Sequence, residues 1–383
     1  MMKEHWPRLI LRLDCITENA SRVVKFCASK GVEVAGVVKG VCADLRVAGA
    51  MLEGGCASFA DSRLQNLKRL KEAFPQVPRT LLRIPMKSEL EEIVRWVDSS
   101  LVSMPESVEA LDDCCKTLGM THKVILMFDL GDRREGILLD TPKTTADINA
   151  WPCVSTNVGE LESFVAVLKK TPRVVLQGVG VNFGCFAGVL PSASALRRLC
   201  LARETLASEL GYDVHICSGG STSSLALLER GELPSGVNHL RVGEAILLGQ
   251  DVSWRRSVPW LRQDTAYLEA EVVEARVKPS LPEGETGADA FGNLQTFEDK
   301  GPRRRAIVAI GRQDVPTEAL TPYSAGVQVL GGSSDHTILD VTDASVTNAS
   351  TLWKWGDKAC FSLSYAGLLG LMTSPYVFKD YRN

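Results

Sequence analysis

A rhythm constrains this chain more than any other feature. Short apolar segments recur at residues 34–38, 58–60, 80–84, 101–103, 124–128, 178–181, 214–217 and 239–242. Helical patterns lie between them at 64–73, 88–97, 107–118, 158–169 and 193–210. Apolar runs this short, bounded by turn residues, suit strands buried on both faces, and strands alternating with helices form parallel sheets. Eight of them in even series predict an α/β fold, a parallel (β/α)8 barrel of the TIM type over residues 15–250, with a doubly wound open sheet as the alternative. A strand at 9–14 precedes the series, and a helix at 19–29 presents Ala20, Val23, Val24 and Phe26 on one face.

After Gly249 the texture changes. Segments 265–277, 305–310, 326–330, 336–341 and 358–364 read as strands separated by Gly, Pro and Asp turns, which predicts an all-β domain over 251–383. The first strand, within residues 1–14, is expected to join it. The polar segment 279–304 reads as a long functional loop.

Composition narrows the function classes. A net charge of -3 gives no reason to expect nucleic acid or an anionic membrane as partner. No apolar run reaches the ~18 residues of a membrane span, and the start of the chain lacks the apolar core of a secretory signal. Eleven cysteines without CxxC pairs or zinc spacing are expected to be free thiols of a cytoplasmic protein, with no metal site.

One strand end stands out. Val34-Ala-Gly-Val-Val ends in Lys39. Desolvation of an ammonium costs energy and lowers its pKa, and a lysine so lowered is the type that condenses with carbonyl groups. The alternative is a side chain that snorkels into water. Reactive residues of such barrels sit at the C-terminal strand ends, so those ends test the reading. They carry Lys39, Asp61 with Arg63, Arg83, Asp129 with Arg134, Asn182, the run Ser218-Gly219-Gly220-Ser221-Thr222-Ser223-Ser224, and Arg241-Val-Gly243-Glu244. The Ser/Gly run precedes a helix near Leu225 and offers backbone N–H groups to an anion, or simply caps that helix. It follows the seventh strand and Gly243 the eighth, where barrel phosphate sites lie. A carbonyl-reactive lysine facing a phosphate site describes a pocket for pyridoxal 5'-phosphate. Arg241 would then stand near the pyridine nitrogen and leave it unprotonated, which suits removal and return of an α-proton. Pairing of Arg241 with Asp129 or Glu244 is the other reading.

These residues resemble a known superfamily. Val37-Val-Lys39 looks like the cofactor-lysine motif of the alanine racemase superfamily, the fold-type III pyridoxal-phosphate enzymes. Asp129-Leu-Gly-Asp-Arg-Arg134-Glu-Gly136 resembles its Asp-x-Gly-x-x-Arg-x-Gly turn, and Arg241-Val-Gly243 its Arg-x-Gly segment. One branch, the ornithine racemases, is closer still over nearly the whole chain. Its likeness extends to Phe59–Leu67, Leu82–Met86, Leu240–Gly249, Asp289–Asn293, Glu298–Gly301, Ala309–Gly311 and Gly332–His336. The resemblance implies an isomerase that interconverts L- and D-ornithine, with lysine or another amino acid as the alternative substrate. It implies Lys39, Arg134, Asn182, Ser218–Thr222, Arg241, Gly243 and Glu244 as cofactor residues, and a homodimer with a shared active site.

The departures from alanine racemase also carry information. Ala43 stands where that family has a tyrosine, and Ile310-Gly-Arg312-Gln-Asp314 where it has its second catalytic base. Racemisation needs an acid–base group on each face of the carbon. Asp335 and His336 are the candidates opposite Lys39, with Tyr365 behind them. Related dehydratases and aldolases hold a metal with His-x-Cys or His-x-Asp, whereas His336 is followed by Thr337 and Ile338, which favours racemisation. A distal ammonium on the substrate calls for a carboxylate, and Asp61, Asp132, Glu135, Asp289 and Glu298 are on offer.

Overall fold

The computed structural model describes residues 5–139, 158–344 and 353–383. They form two units, one of residues 16–39 and 43–262, the other of residues up to Cys15, 40–42 and 263–383. The strand β1 (Arg8–Arg12) belongs to the second unit, and the helix α1 (Leu13–Ala28) follows it directly.

The first unit alternates strands with helices: β2 (Glu33–Val37), α2 (Leu45–Glu53), β3 (Ser58–Asp61), α3 (Leu64–Ala73), β4 (Arg79–Leu81), α4 (Leu90–Trp96), β5 (Ser99–Val102), α5 (Pro105–Leu118) and β6 (His122–Asp129). A short β7 (Ile137–Leu138) adds to β6. Then come α6 (Val158–Leu168), β8 (Val174–Val181), α7 (Ala193–Leu210), β9 (Ile216–Ser218), α8 (Leu225–Glu229), β10 (His239–Val242) and α9 (Glu244–Leu248). A two-strand ribbon, β11 (Gln250–Asp251) and β12 (Arg256–Ser257), ends the series.

The sheet closes. β10 pairs in parallel with β2 from His239 opposite Glu33 to Val242 opposite Gly36. β5 pairs in parallel with β6 from Ser99 opposite Lys123 to Val102 opposite Leu126. With β6–β8, β8–β9 and β9–β10 the ring is complete, so the open-sheet alternative falls. Strand side chains alternate, and one side of this ring must fill the barrel. Ala35, Val37, Ala60, Leu82, Leu101, Ile125 and Met127 do so, with Ile84 and Ile216 packed against them. Burial of each larger aliphatic chain stabilises the fold by about 1.5–3 kcal/mol.

Several boundaries differ from the sequence reading, two of them instructively. The helix expected at 19–29 already begins at Leu13, and the strand expected at 80–84 ends at Leu81. Pro85 restricts the backbone before it and offers no N–H to a ladder.

In the second unit β13 (Ala266–Pro279) is the central strand, alternately buried over its first half. It pairs with β14 (Pro302–Val308) and β18 (Lys358–Leu363), while β15 (Leu320–Pro322), β16 (Gln328–Gly332) and β17 (Thr337–Asp340) extend the sheet. β1 lies antiparallel to β13 and parallel to β19 (Phe378–Arg382). One helix, α10 (Tyr365–Thr373), accompanies the strands. The polar excursion between β13 and β14 is knotted on Asp289, which accepts from the N–H groups of Phe291 (2.9 Å) and Asn293 (2.8 Å) and from Gln295 Nε2 (3.0 Å).

Candidate active site

Lys39 opens a single 3-10 turn just beyond β2. Directly after it, Cys42 and Ala43 take left-handed backbone, with φ of 51° and 48°. That conformation costs side-chain-bearing residues roughly 1–2 kcal/mol and concentrates at functional sites. The Lys39 pKa is lowered, first by burial and then by the cations Arg134 and Arg241, while the thiol of Cys185 and the carboxylate of Asp61 act in the opposite sense. No carboxylate bonds to Lys39 among the described residues, so its amine is the more readily unprotonated.

The arginines are held in a continuous polar run. Arg134 bonds through Nε and Nη2 to both carboxylate oxygens of Glu135, the second at 2.6 Å. Glu135 also accepts from Asn182 Nδ2 at 2.8 Å. The Asn182 Oδ1 accepts from Arg241 Nη2 at 3.0 Å, and the carbonyl of Val181 accepts from the same nitrogen at 2.8 Å. Arg241 Nη1 bonds to Ser218 Oγ, which also meets His239 Nδ1 at 2.8 Å. Burial lowers Arg241 to about 10, so it stays charged at neutral pH. Its partners are therefore Ser218, Val181 and Asn182, not the pairing with Asp129 or Glu244 that the sequence left open. Burial also lowers His239, to about 3, and holds it neutral.

The Ser/Gly run turns after β9. Gly220 has φ +106°, a conformation glycine adopts at no steric cost. Gly219 has a different reason: a Cβ there would lie 2.5 Å from Val237 Cγ1. Ser221 leads into a 3-10 turn over Thr222–Ser224, and α8 begins without a side-chain cap. Ser224 Oγ bonds to the Gly219 carbonyl at 2.6 Å, and Thr222 Oγ1 accepts from the N–H of Ala245 at 3.2 Å. Ser223 Oγ is buried and has no hydrogen-bond partner among the described residues. An orphaned hydroxyl costs free energy unless a ligand meets it. At the close of the ring Gly243 packs on Val37, where a Cβ would lie 3.0 Å from the Val37 carbonyl oxygen. The Glu244 carboxylate turns to the N–H of Val252 at 3.2 Å, and burial raises it to about 7. What Glu244 can offer an anion is therefore its backbone N–H at the start of α9.

Most of the carboxylates considered for a distal ammonium are engaged. Asp61 is fully buried and accepts from the N–H of Arg63 (2.8 Å) and from Asn66 Nδ2 (3.1 Å to each oxygen). Asp132 accepts from the N–H groups of Cys185 (3.0 Å), Phe186 (2.9 Å) and Val189 (3.1 Å). Glu135 is bound to Arg134 and Asn182. In the second unit Asp289 ties its own loop, and Glu298 is exposed beside Lys300 at 3.3 Å. Both line a cavity of about 610 Å³ with Arg303, Arg305 and Asp340. Asp335 and His336 stand on the turn between β16 and β17, where the Asp335 carboxylate takes Gln313 Nε2. Tyr365 opens α10, and its ring lies 2.9 Å from where a Cβ on Gly40 would stand.

Two residues escaped the sequence reading. Ser223 lies in the Ser/Gly run but is not among the cofactor residues that the resemblance implies. Cys185 follows the end of β8 by the same strand-end rule that selected Asn182, three positions further along, and scattered cysteines masked it.

The described residues contain no group of three His, Cys, Asp or Glu side chains arranged to hold a metal, and no helix long and apolar enough to cross a membrane. The family model for the alanine racemase N-terminal domain matches residues 11–251. A lysine racemase of Thermotoga maritima is 39% identical over 376 residues, covering 98% of each chain. An ornithine racemase of Acetoanaerobium sticklandii is 37% identical over 375 residues, covering 98% of this chain and 99% of its own. The crystal structure of alanine racemase from Bartonella henselae with covalently bound pyridoxal phosphate superimposes with a TM-score of 0.70 at 17% identity, over 98% of this chain and 99% of that one.

Proposed function

The chain belongs to the alanine racemase family and is an amino-acid racemase; from that premise we propose that it interconverts L- and D-ornithine with pyridoxal 5'-phosphate held on Lys39. The observation that carries the cofactor reading is a pairing within the barrel unit: a lysine whose charge is disfavoured, and a Ser/Gly turn with an orphaned buried hydroxyl at Ser223. The residues present fit the group. Ser221, Thr222, Ser223 and the N–H groups of Gly243 and Glu244 would take its phosphate, and Arg241 its ring nitrogen. The bound cofactor supplies an electron sink for the charge left at Cα.

The protein's own groups do the rest. Lys39 Nζ takes or returns a proton at Cα on one face, a role its lowered pKa favours. Arg134, fixed in orientation by Glu135 and Asn182, presents its remaining N–H groups to the substrate carboxylate. Arg241 holds one charge state throughout; beside the ring nitrogen of a bound cofactor it would deliver no proton, which would suit proton exchange at Cα. For the second face the sequence offers Asp335 and His336, acting in a homodimer from a second copy of the chain. The barrel unit offers a group of its own, Cys185. The described cysteines are all free thiols, which supports a reducing, cytoplasmic setting.

Incubation of purified protein with pyridoxal phosphate and L-ornithine, followed by absorbance and chiral analysis, tests the reading. A visible cofactor band with D-ornithine formed is the expected result. The band with D-lysine formed faster would give the substrate to lysine, which the Thermotoga relative supports. No band would overturn the cofactor assignment.

A further inference from the structure

We infer that Cys185 is the second acid–base group of the racemisation, moving a proton at Cα on the face turned away from Lys39. The inference rests on the racemase reading above and deepens it.

The two groups flank the barrel mouth. Lys39 follows β2 and Cys185 follows β8, and these strands stand three places apart around the closed ring, with β10 and β9 between them. Cys185 is electrostatically coupled to Lys39, Arg134 and Arg241. It therefore lies among the cations assigned to the cofactor and to the substrate carboxylate. A thiol is a group that can give or take a proton at carbon.

The segment that carries Cys185 is built for position. Asp132 is 1% exposed and spends its carboxylate on three backbone N–H groups of this loop, including that of Cys185 itself. The N–H of Gly184 adds a bond to the Val189 carbonyl at 2.9 Å. A buried carboxylate devoted to loop amides fixes the backbone while leaving the thiol exposed. Nearby acids are locked otherwise: Asp61 accepts from the Arg63 N–H and from Asn66, Asp129 accepts from the N–H groups of Gly131 and Arg133, and Glu135 grips Arg134. The thiol donates to the Phe183 carbonyl at 3.4 Å.

The protons balance. In one direction the free amine of Lys39 takes the proton from Cα, and Cys185 Sγ–H delivers one to the opposite face and becomes a thiolate. In the other direction the thiolate takes the proton and the Lys39 ammonium returns one. Solvent resets the pair between turnovers.

Cys185→Ala and Cys185→Ser are to be compared with wild type and with His336→Ala, each loaded with pyridoxal phosphate in D2O and given L- or D-ornithine. The expected result is a Cys185→Ala protein that keeps the cofactor's visible band and racemises at least ~100-fold more slowly. One enantiomer would still exchange its α-hydrogen for deuterium with its configuration retained, because Lys39 still serves one face. A second readout does not depend on turnover: iodoacetamide should alkylate Cys185 in the free wild-type protein, mapped by peptide mass spectrometry, and more slowly once cofactor and D-ornithine are bound. Racemisation by Cys185→Ala at the wild-type rate, or one-sided exchange in His336→Ala in its place, would overturn the inference. Unchanged alkylation on loading would also count against it. A wild type that binds cofactor but racemises neither ornithine nor lysine brings down the racemase reading, and the inference with it.

Discussion

Two stretches of the barrel rim, the end of β3 and the turn after β9, are both rich in polar side chains and treat them in opposite ways. At the first, Asp61 is buried with both oxygens bonded, to Asn66 and to the backbone at the start of α3. At the second, Ser223 Oγ is equally buried and bonded to nothing among the described residues. The satisfied group is scaffold: it holds a helix to a strand and has no capacity left for a ligand. The unsatisfied one is a vacancy in the hydrogen-bond account, tolerable only if something else fills it. Sequence alone reads both as polar residues at strand ends; their bonding separates structure from function.

The sharpest way to break this distinction is at Lys39, to which no carboxylate bonds among the described residues. Lys39→Ala should bring turnover to background, a loss of at least ~10⁴-fold, and abolish covalent attachment of the cofactor while leaving the thermal midpoint of the apo protein nearly unchanged. Retained attachment, read by mass spectrometry after borohydride reduction, would move the site elsewhere.

The converse test is Asp61→Ala. Loss of the carboxylate that holds the Arg63 N–H and buried Asn66 should cost about 3 kcal/mol of stability in urea unfolding. If the midpoint holds and only cofactor binding falls, Asp61 belongs to the ligand side of the comparison.

His239 extends it to pH. Its folded pKa, about 3, lies below its ordinary 6.5, so its contribution is fully present above pH 6.5 and is lost as pH falls from there toward 3. His122, lowered to about 4 and bonded to Ser100, behaves alike. His239→Gln should therefore flatten the acid limb of the stability curve by a few kcal/mol relative to wild type. An unchanged slope would mean that His239 titrates alike in the folded and unfolded chain.

The smallest effect is expected at Ser223. Ser223→Ala should weaken cofactor affinity about tenfold, as loss of one hydrogen bond to a charged group predicts, while apo stability stays level or rises by up to ~1 kcal/mol. A destabilised apo protein would show that the hydroxyl is already paired.

The sequence by itself determined the alternation of strands and helices, the lysine just past the second strand, the Ser/Gly run after the seventh barrel strand, and the change to β texture after residue 250. These are local signals, written in the spacing of apolar and turn residues within a few positions of each other. Closure was decided elsewhere, by β5 meeting β6 and β10 meeting β2, pairings between segments tens to hundreds of residues apart. So was the fate of each polar side chain. Asp132 and Glu135 looked available to a substrate ammonium in the sequence, and the fold commits one to loop amides and the other to Arg134. Cys185 looked like one thiol among eleven, and the fold sets it among Lys39, Arg134 and Arg241. Local propensity chooses the elements. Which side chain meets which is settled only when distant strands pack, because a partner's worth depends on distance and burial that no spacing in the chain encodes.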